Sequence, residues 1–310
     1  MAPGQDRPVL SQQQTAQYLD RLQIPKDQRI YDVAALKPEH AYQYLALLQK
    51  HQLVQVPFEN LTLHYSPHRQ ISLHPEQLFK KIIGDNNGRG GYCMENNGLF
   101  AMLLRSLGFN LFSAGARVFD DDIWHGWSHM ILIVTIGESK YHVDVGFGTH
   151  GPIQPMKLDR SGTIQEHIRP ATCRLQWDNI NANTDPDQRL WVYEHRIHEG
   201  SEFRTTYCFT ELEFLPSDYT VLNYYTSTSP TIFFTRVVVG EKKILGENGD
   251  IIGHLILGNN DLKWRIDGAK EREVKFATED DRVRALEEHF GIKLSQVERD
   301  SIAGLSSEIK

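Results

Sequence analysis

Cysteine is scarce in this chain. Only Cys93, Cys173 and Cys208 occur in 310 residues, too few and too dispersed for a disulfide scaffold. Basic residues are also short: 33 Lys and Arg stand against 40 Asp and Glu, for a net charge of −7. With the signs interspersed, that balance argues against a binder of nucleic-acid phosphates. No run approaches the roughly 18 uninterrupted apolar residues of a membrane span. The opening Met1-Ala2-Pro3-Gly4-Gln5-Asp6-Arg7 lacks the basic and apolar regions of a secretory signal. Internal repeats and low-complexity tracts are missing too. A reduced, soluble, cytoplasmic protein with no membrane or nucleic-acid partner is the expectation. At 40% hydrophobic residues, it can bury a large core and divide into two or three subdomains.

What is present changes character along the chain. The first third reads as helices. Ser11-Gln12-Gln13-Gln14 has capping-box spacing ahead of Ala16, Leu19 and Leu22. Pro38 suits the first turn of a second helix with Ala41, Leu45 and Leu48 on one face. A third helix is expected over Pro75 to Ile83, and a fourth from about Glu95 to Leu107, closed by Gly108. Beyond Gly108, β-branched and aromatic runs predict strands at Phe112–Phe119, His129–Ile136 and Tyr141–Val145. Further strands are expected at Cys173–Trp177, Leu190–Ile197, Arg204–Leu212, Phe233–Val239, Ile252–Leu257 and Leu262–Ile266, with a polar surface insertion at Asn181 to Arg189. The end returns to helix behind the acidic turn Thr278-Glu279-Asp280-Asp281. Helices, then an antiparallel β region, then mixed elements read as an α+β protein.

The chemistry concentrates in one stretch. Cys93 sits in Arg89-Gly90-Gly91-Tyr92-Cys93-Met94-Glu95-Asn96-Asn97, at the mouth of the fourth helix. A lone cysteine is more often a small buried hydrophobe than a catalyst. Here two glycines admit close backbone approach, and the first turn offers unpaired amides and the positive end of the helix dipole, both of which favour a thiolate. Cys173 and Cys208 lie in alternating strand patterns and are read as packing residues. Asp144 in Tyr141-His142-Val143-Asp144-Val145 is poor strand material, and a buried carboxylate needs a partner. A hairpin around Gly137–Lys140 would bring it across from His129. Asp144 holding one ring nitrogen would leave the other to take the thiol proton, the logic of a triad. A zinc site built from His125, His129, His142 and Cys93 is the competing reading, but His125 falls in a Gly-Trp-rich loop and no CxxC or HExxH companion exists. Gly88-Arg89-Gly90-Gly91 lacks Walker spacing and is no nucleotide-hydrolysing loop. No metal is expected.

Taken together, these residues resemble the arylamine N-acetyltransferase family. The collinear matches are Val56-Pro57-Phe58-Glu59-Asn60-Leu61, Arg89 to Asn97, Ser128-His129, Val143-Asp144-Val145-Gly146-Phe147-Gly148 and Thr228-Ser229-Pro230. The resemblance implies a helical bundle over 1–108 carrying the cysteine, a β-barrel over 109–215 carrying His and Asp, and an α/β lid with a C-terminal helix over 216–310, the first two arranged as in cysteine proteases. It implies the triad Cys93, His129 and Asp144. It implies a ping-pong transfer of an acetyl group from acetyl-CoA, bound as substrate rather than as a resident cofactor, to an aromatic amine, hydrazine or hydroxylamine, as in xenobiotic detoxification. By the same match His125, Gly126, Tyr225 and Thr231 would face coenzyme A, and Trp127, Ser128 and Phe147 the acceptor. Glu59 and Arg89 would form a structural ion pair, and the protein would act as a monomer. The segment His125-Gly126-Trp127-Ser128 and Phe233 depart from animal members and look like fungal ones, some of which use malonyl-CoA on aminophenols. Malonyl transfer is therefore the alternative to acetyl transfer, with Arg117 and His125 as candidate cations for the extra carboxylate. A thiol hydrolase or transglutaminase-like enzyme, and a binding module without catalysis, are the readings from other classes.

Overall fold

The computed structural model describes residues 7–310. Residues 1–6, on which the expectation of no secretory signal rests, lie outside them. Helix α1 (Gln12–Arg21) begins with the expected capping box: the Ser11 hydroxyl accepts from Gln14 N, and the Gln14 side chain accepts from Ser11 N. Helix α2 (Pro38–Gln55) carries Pro38 in its first turn and buries Ala41, Leu45 and Leu48. A short strand β1 (Phe58–Glu59) follows, then α3 (Pro75–Phe79), which runs on into a π turn at Lys80–Gly84. Helix α4 (Cys93–Ser106) buries Leu99, Phe100, Leu103 and Leu104, and Gly108 just beyond it takes φ +86°.

An eight-stranded antiparallel sheet is built from β2 (Asn110–Asp120), β3 (Ile123–Ile136), β4 (Ser139–Val143), β5 (Met156–Lys157), β6 (Gln165–Glu166), β7 (Thr172–Asp178), β8 (Leu190–Arg196) and β9 (Arg204–Glu213). Its order is β5-β4-β3-β2-β9-β8-β7-β6, and the two-residue strands β5 and β6 are its free ends. The expected barrel is thus an open half-barrel. Strand β3 divides two cores by alternation. Leu132, Val134 and Ile136 pack with α4 and the helical region, while Ile131 and Ile133 pack with Trp191, Tyr207 and Phe209 inside the half-barrel.

Helix α5 (Pro216–Thr228) packs on β3. Strands β10 (Gly240–Leu245), β11 (Ile251–Leu257), β12 (Asp261–Ile266) and β13 (Ala269–Lys275) form a second sheet in the order β1-β10-β11-β12-β13. Helix α6 (Glu279–Ala285), continued by a π turn at Leu286–Phe290, and α7 (Gln296–Asp300) complete the fold. Phe233–Val239 is not the strand that its composition predicts. The Asn60 amide donates to the Phe234 and Val237 carbonyls, both at 2.8 Å, and its oxygen accepts from Val239 N at 2.9 Å. A side chain therefore takes bonds that a ladder would use, and β10 starts only at Gly240. Strands β10 and β13 escape the sequence pattern because they are charge-rich; on β13, an edge, such charges discourage pairing with other chains.

An ion cluster joins β1, the glycine loop and α7. Glu59, 1% exposed, accepts from Arg89 Nε at 2.9 Å, Gly90 N at 3.2 Å and Leu61 N at 2.6 Å. Burial would raise its carboxyl, but Arg89 and Lys81 hold it down at about 2. Arg89 also reaches Glu298 at 3.2 Å. A Cβ on Gly90 would stand 1.8 Å from the Pro57 carbonyl oxygen, so only glycine permits this approach. Arg89→Ala leaves the buried carboxylate with two backbone donors and, for charge, Lys81 at 3.7 Å. It should lower unfolding stability by about 3–5 kcal/mol, read from the urea midpoint.

Candidate active site

Cys93 is the first residue of α4, with Tyr92 as its extended N-cap. Glu95 in the first turn accepts from Tyr92 N at 3.1 Å and from Lys81 Nζ at 2.8 Å, which pins the start of the helix. The thiol is buried and donates to the Ser128 carbonyl at 3.8 Å. That carbonyl is available because of an irregularity in the β2–β3 ladder. Ala116 pairs with His129 and Arg117 with Trp127, so Ser128 is an extra residue bulged from β3.

His129 lies in the odd-numbered register of β3 and faces the half-barrel. Its Nε2–H donates to Asp144 Oδ2 at 2.7 Å, which leaves Nδ1 for the thiol. Asp144 is one residue beyond the last β3–β4 pair, Leu132↔Val143. Continuing that register would set it opposite Ile131, so His129 is its diagonal neighbour on the same face rather than directly across. Asp144 Oδ1 accepts from the Asn97 amide at 2.9 Å and from Gly146 N at 2.8 Å, and Oδ2 also accepts from the Tyr207 hydroxyl at 3.2 Å. Both carboxylate oxygens are fully engaged. Burial alone would lower the imidazole, but Asp144, with Cys93 adding to it, raises it to about 10. Burial likewise opposes ionisation of Asp144, and the His129 charge overrides it, holding the carboxyl at about 2.

Relative to a free imidazole near 6.5, the raised His129 contributes stability that is complete below about pH 6.5 and lost as pH rises through about 10. Asp144, depressed below its usual value near 3.9, contributes stability that is present above about pH 3.9 and lost as pH falls through about 2. Both groups therefore contribute in full between about pH 4 and 6.5, and the imidazolium charge persists through neutrality.

Behind this pair stands a second one. His142 Nε2 and the Tyr207 hydroxyl are 2.9 Å apart. Burial pushes His142 down to about 4, so its ring is neutral. A neutral ring donating from Nε2 lets Tyr207 pass its own proton to Asp144, and it leaves His142 Nδ1 as a lone pair without a partner.

Phe147, half-buried, stands edge-on to the His129 ring at 5.2 Å and lies 4.8 Å from Tyr207. A Cβ on Gly146 would fall 2.7 Å from Cys93 Cα, so glycine allows the Asp144 loop to lie against the helix start. Cys93, Ser128, His129, Asp144 and Phe147 thus come together. Trp127 packs away from them, edge-on to Phe214 at 5.6 Å and under the Arg117 guanidinium at 4.4 Å. His125 and Gly126 are exposed and belong to β3, not to a loop. Asp121 and Asp122, with φ of 48° and 60°, tighten the β2–β3 turn to two residues, so the ladder resumes at Ile123. Tyr225 is exposed on α5, and Thr231 is exposed beyond it with its hydroxyl 2.9 Å from that of Ser229. None of these four bonds to Cys93, His129 or Asp144. Among the described residues, no three His, Cys, Asp or Glu side chains are grouped to hold a metal ion.

Comparison with known proteins gives the family. The N-acetyltransferase family model matches residues 42–299. The chain belongs to the arylamine N-acetyltransferase family. It is 35% identical to the N-malonyltransferase FDB2 of Gibberella moniliformis, over 92% of this chain and 90% of that protein. It is 31% identical to arylamine N-acetyltransferase 1 of Homo sapiens, over 70% of this chain and 73% of that one. In fold it is similar to the arylamine N-acetyltransferase of Mycobacterium abscessus, with TM-score 0.76 and 22% identity over 94% of this chain and 95% of that one. The Mycobacterium marinum enzyme in complex with CoA gives TM-score 0.75 and 24% identity, over 93% and 97%. As a member of this family the chain is an acyltransferase.

Two residues of this arylamine N-acetyltransferase site escape sequence reasoning. Asn97 shows there only as polar flank, and Tyr207 as one aromatic in a strand. Asn97 occupies a helix face where apolar residues dominate, and that was the available signal. Its amide donates to Asp144 and, at 2.8 Å, to the Met130 carbonyl, while its oxygen accepts from Val145 N at 3.0 Å. Asn97→Leu takes a partner from the Met130 carbonyl and from Val145 N and one of two donors from Asp144 Oδ1, each loss costing about 1–3 kcal/mol. The variant should unfold at clearly lower urea and acylate Cys93 at least tenfold more slowly, read by intact mass.

Proposed function

We propose that this chain moves an acyl group from coenzyme A to a small aromatic amine through a thioester on Cys93. The observation that carries the reading is the 2.7 Å bond between His129 and a fully hydrogen-bonded Asp144, beside a thiol at a helix start. In the first half-reaction the Cys93 sulfur attacks the thioester carbonyl. The amides opening α4 lack intrahelical partners and can meet the oxyanion. As the C–S bond to coenzyme A breaks, the protonated His129 supplies a proton to the departing sulfur. The amine then attacks the Cys93 acyl group, its surplus proton passes to the ring, and the thiolate leaves. Two easier steps replace one. Phe147, beside His129, suits an aryl acceptor. Trp127, Ser128, His125, Gly126, Tyr225 and Thr231 remain the proposed substrate contacts, and Glu59–Arg89 the support beneath the glycine loop. Three unpaired thiols fit a reducing compartment, and we read the protein as a cytoplasmic monomer. No described helix is long and apolar enough to cross a membrane.

Acetyl-CoA is the donor that the family name carries. A malonyl donor is favoured by two observations. The relatives named N-malonyltransferase are similar over 92–95% of this chain. The Arg117 guanidinium, on the strand beside His129, has a buried Nε with no hydrogen-bond partner, as a site for a carboxylate requires.

Intact-mass spectrometry after mixing with each acyl-CoA tests the reading. A gain of one acyl group, absent in Cys93→Ala and cleared by an arylamine, is the expected result. No adduct with either donor refutes it. Malonyl-CoA should acylate at least tenfold faster than acetyl-CoA, and Arg117→Met should remove that difference. The pH dependence follows from His129. Acylation should hold steady from pH 7 to 9 and fall as pH passes about 10, where the ring loses its proton. In Asp144→Asn the charge that raises the ring is gone while burial remains. The alkaline fall should then move to near neutrality or below, with a maximal rate at least a hundredfold lower.

A further inference from the structure

A cavity of about 500 Å³ lies on the helical side of β3, the side opposite to the His129 ring. Three of the five methionines in the chain line it, Met94, Met102 and Met130. Leu78, Gly98 and Ala101 extend the apolar wall. None of Cys93, His129, Asp144 or Phe147 lines it, so it is separate from the acyl-transfer site. Methionine walls are soft and adapt to varied apolar guests.

Its Arg and carboxylate balance is one-sided. The lining includes Arg7 and Arg105 and no Asp or Glu, in a protein whose net charge is −7. Arg7 is engaged by Glu213 at 2.6 Å. Arg105, half-buried in the last turn of α4, makes no side-chain hydrogen bond to any described residue. Tyr219, on α5, is 5% exposed, and its hydroxyl has no partner. The neighbouring Ser113 hydroxyl donates to the Phe214 carbonyl at 3.4 Å. Tyr219, like Arg7 and Glu213, lies near enough to Arg105 to influence its charge. A buried hydroxyl donor and an unengaged guanidinium at one apolar cavity are what an anionic head group would satisfy.

We propose that this cavity is a second binding site, which takes a small amphipathic monocarboxylate with its hydrocarbon among the methionines and its carboxylate between Arg105 and Tyr219. The ligand would touch Met94 and Met130, the chain neighbours of the nucleophile and the base, without entering the catalytic cleft.

Full-length protein carrying 13C-methyl methionine, titrated with 3-phenylpropanoate and separately with 3-phenylpropanamide, tests this without any turnover. The carboxylate should shift the Met94, Met102 and Met130 methyls saturably and leave Met156, buried in the half-barrel core, unmoved. The amide should bind at least tenfold more weakly. Arg105→Met should abolish that difference, and Tyr219→Phe should weaken carboxylate binding severalfold, with the Met156 signal reporting an intact fold. Binding should persist after Cys93 is alkylated with iodoacetamide. The proposal is overturned if no saturable shift appears at millimolar probe, if amide and carboxylate bind alike, or if alkylation abolishes binding.

Discussion

Everything at this site depends on keeping one carboxylate charged in the dry interior. Asp144 is 1% exposed, and an isolated carboxylate there would take up a proton and release its histidine. Four donors from four places prevent this: the His129 ring on β3, the Asn97 amide on α4, the Tyr207 hydroxyl on β9 and the Gly146 backbone in the following loop. Because those donors belong to the helical region, the half-barrel and the loop, the carboxylate also marks where these parts meet. Losing any one donor loosens a joint of the fold as well as the His129–Asp144 pair.

The lid sheet reaches the same loop through another buried charge. Lys243 on β10, 2% exposed, donates to the Gly148 carbonyl at 2.9 Å and the Thr149 carbonyl at 3.2 Å, and pairs with Glu241 at 2.6 Å. Burial lowers the lysine, and Glu241 counters it. Phe147 sits between Asp144 and these two carbonyls in the chain, so the ring beside His129 is anchored from both ends. Beside β10, the edge strand β1 pairs with it and delivers Glu59 to Arg89. The second sheet thus braces both loops of the site, the one before Cys93 and the one after Asp144.

Cys93, Asp144 and His129 stood out because each broke a local rule: a thiol after two glycines, a carboxylate in a strand, a histidine at the strand's polar end. Asn97 and Tyr207 broke none strongly enough. One asparagine in Glu95-Asn96-Asn97, near the start of a helix, is a weak signal, and tyrosine is favoured in strands. Their roles come from packing distant segments together, Asn97 with Asp144 across 47 positions and Tyr207 with Asp144 across 63. The capping box at Ser11 and the Gly108 terminus were readable because a few adjacent residues decide them. Phe233–Val239 was misread because Asn60, far earlier in the chain, claims its backbone. The Ser128 bulge left no mark in composition, since a ladder irregularity is set by pairing between strands.

The two-faced character of β3 explains how one strand serves chemistry and stability at once. Its even residues seal the helical core and its odd residues face the half-barrel, so His129 emerges among aromatic side chains while Met130 is held under α4. Asn97 grips both sides of that division, the Met130 carbonyl and the Asp144 carboxylate. A shift of one residue in register would exchange the faces and bury the imidazole among the helices, away from Tyr207 and Phe147. The bulge at Ser128 avoids that exchange. It falls just before His129, frees one carbonyl for the thiol, and leaves the alternation intact from His129 to Ile136. The His129 ring and the Cys93 thiol are thereby aligned by an irregularity confined to the part of the strand that the cores do not need.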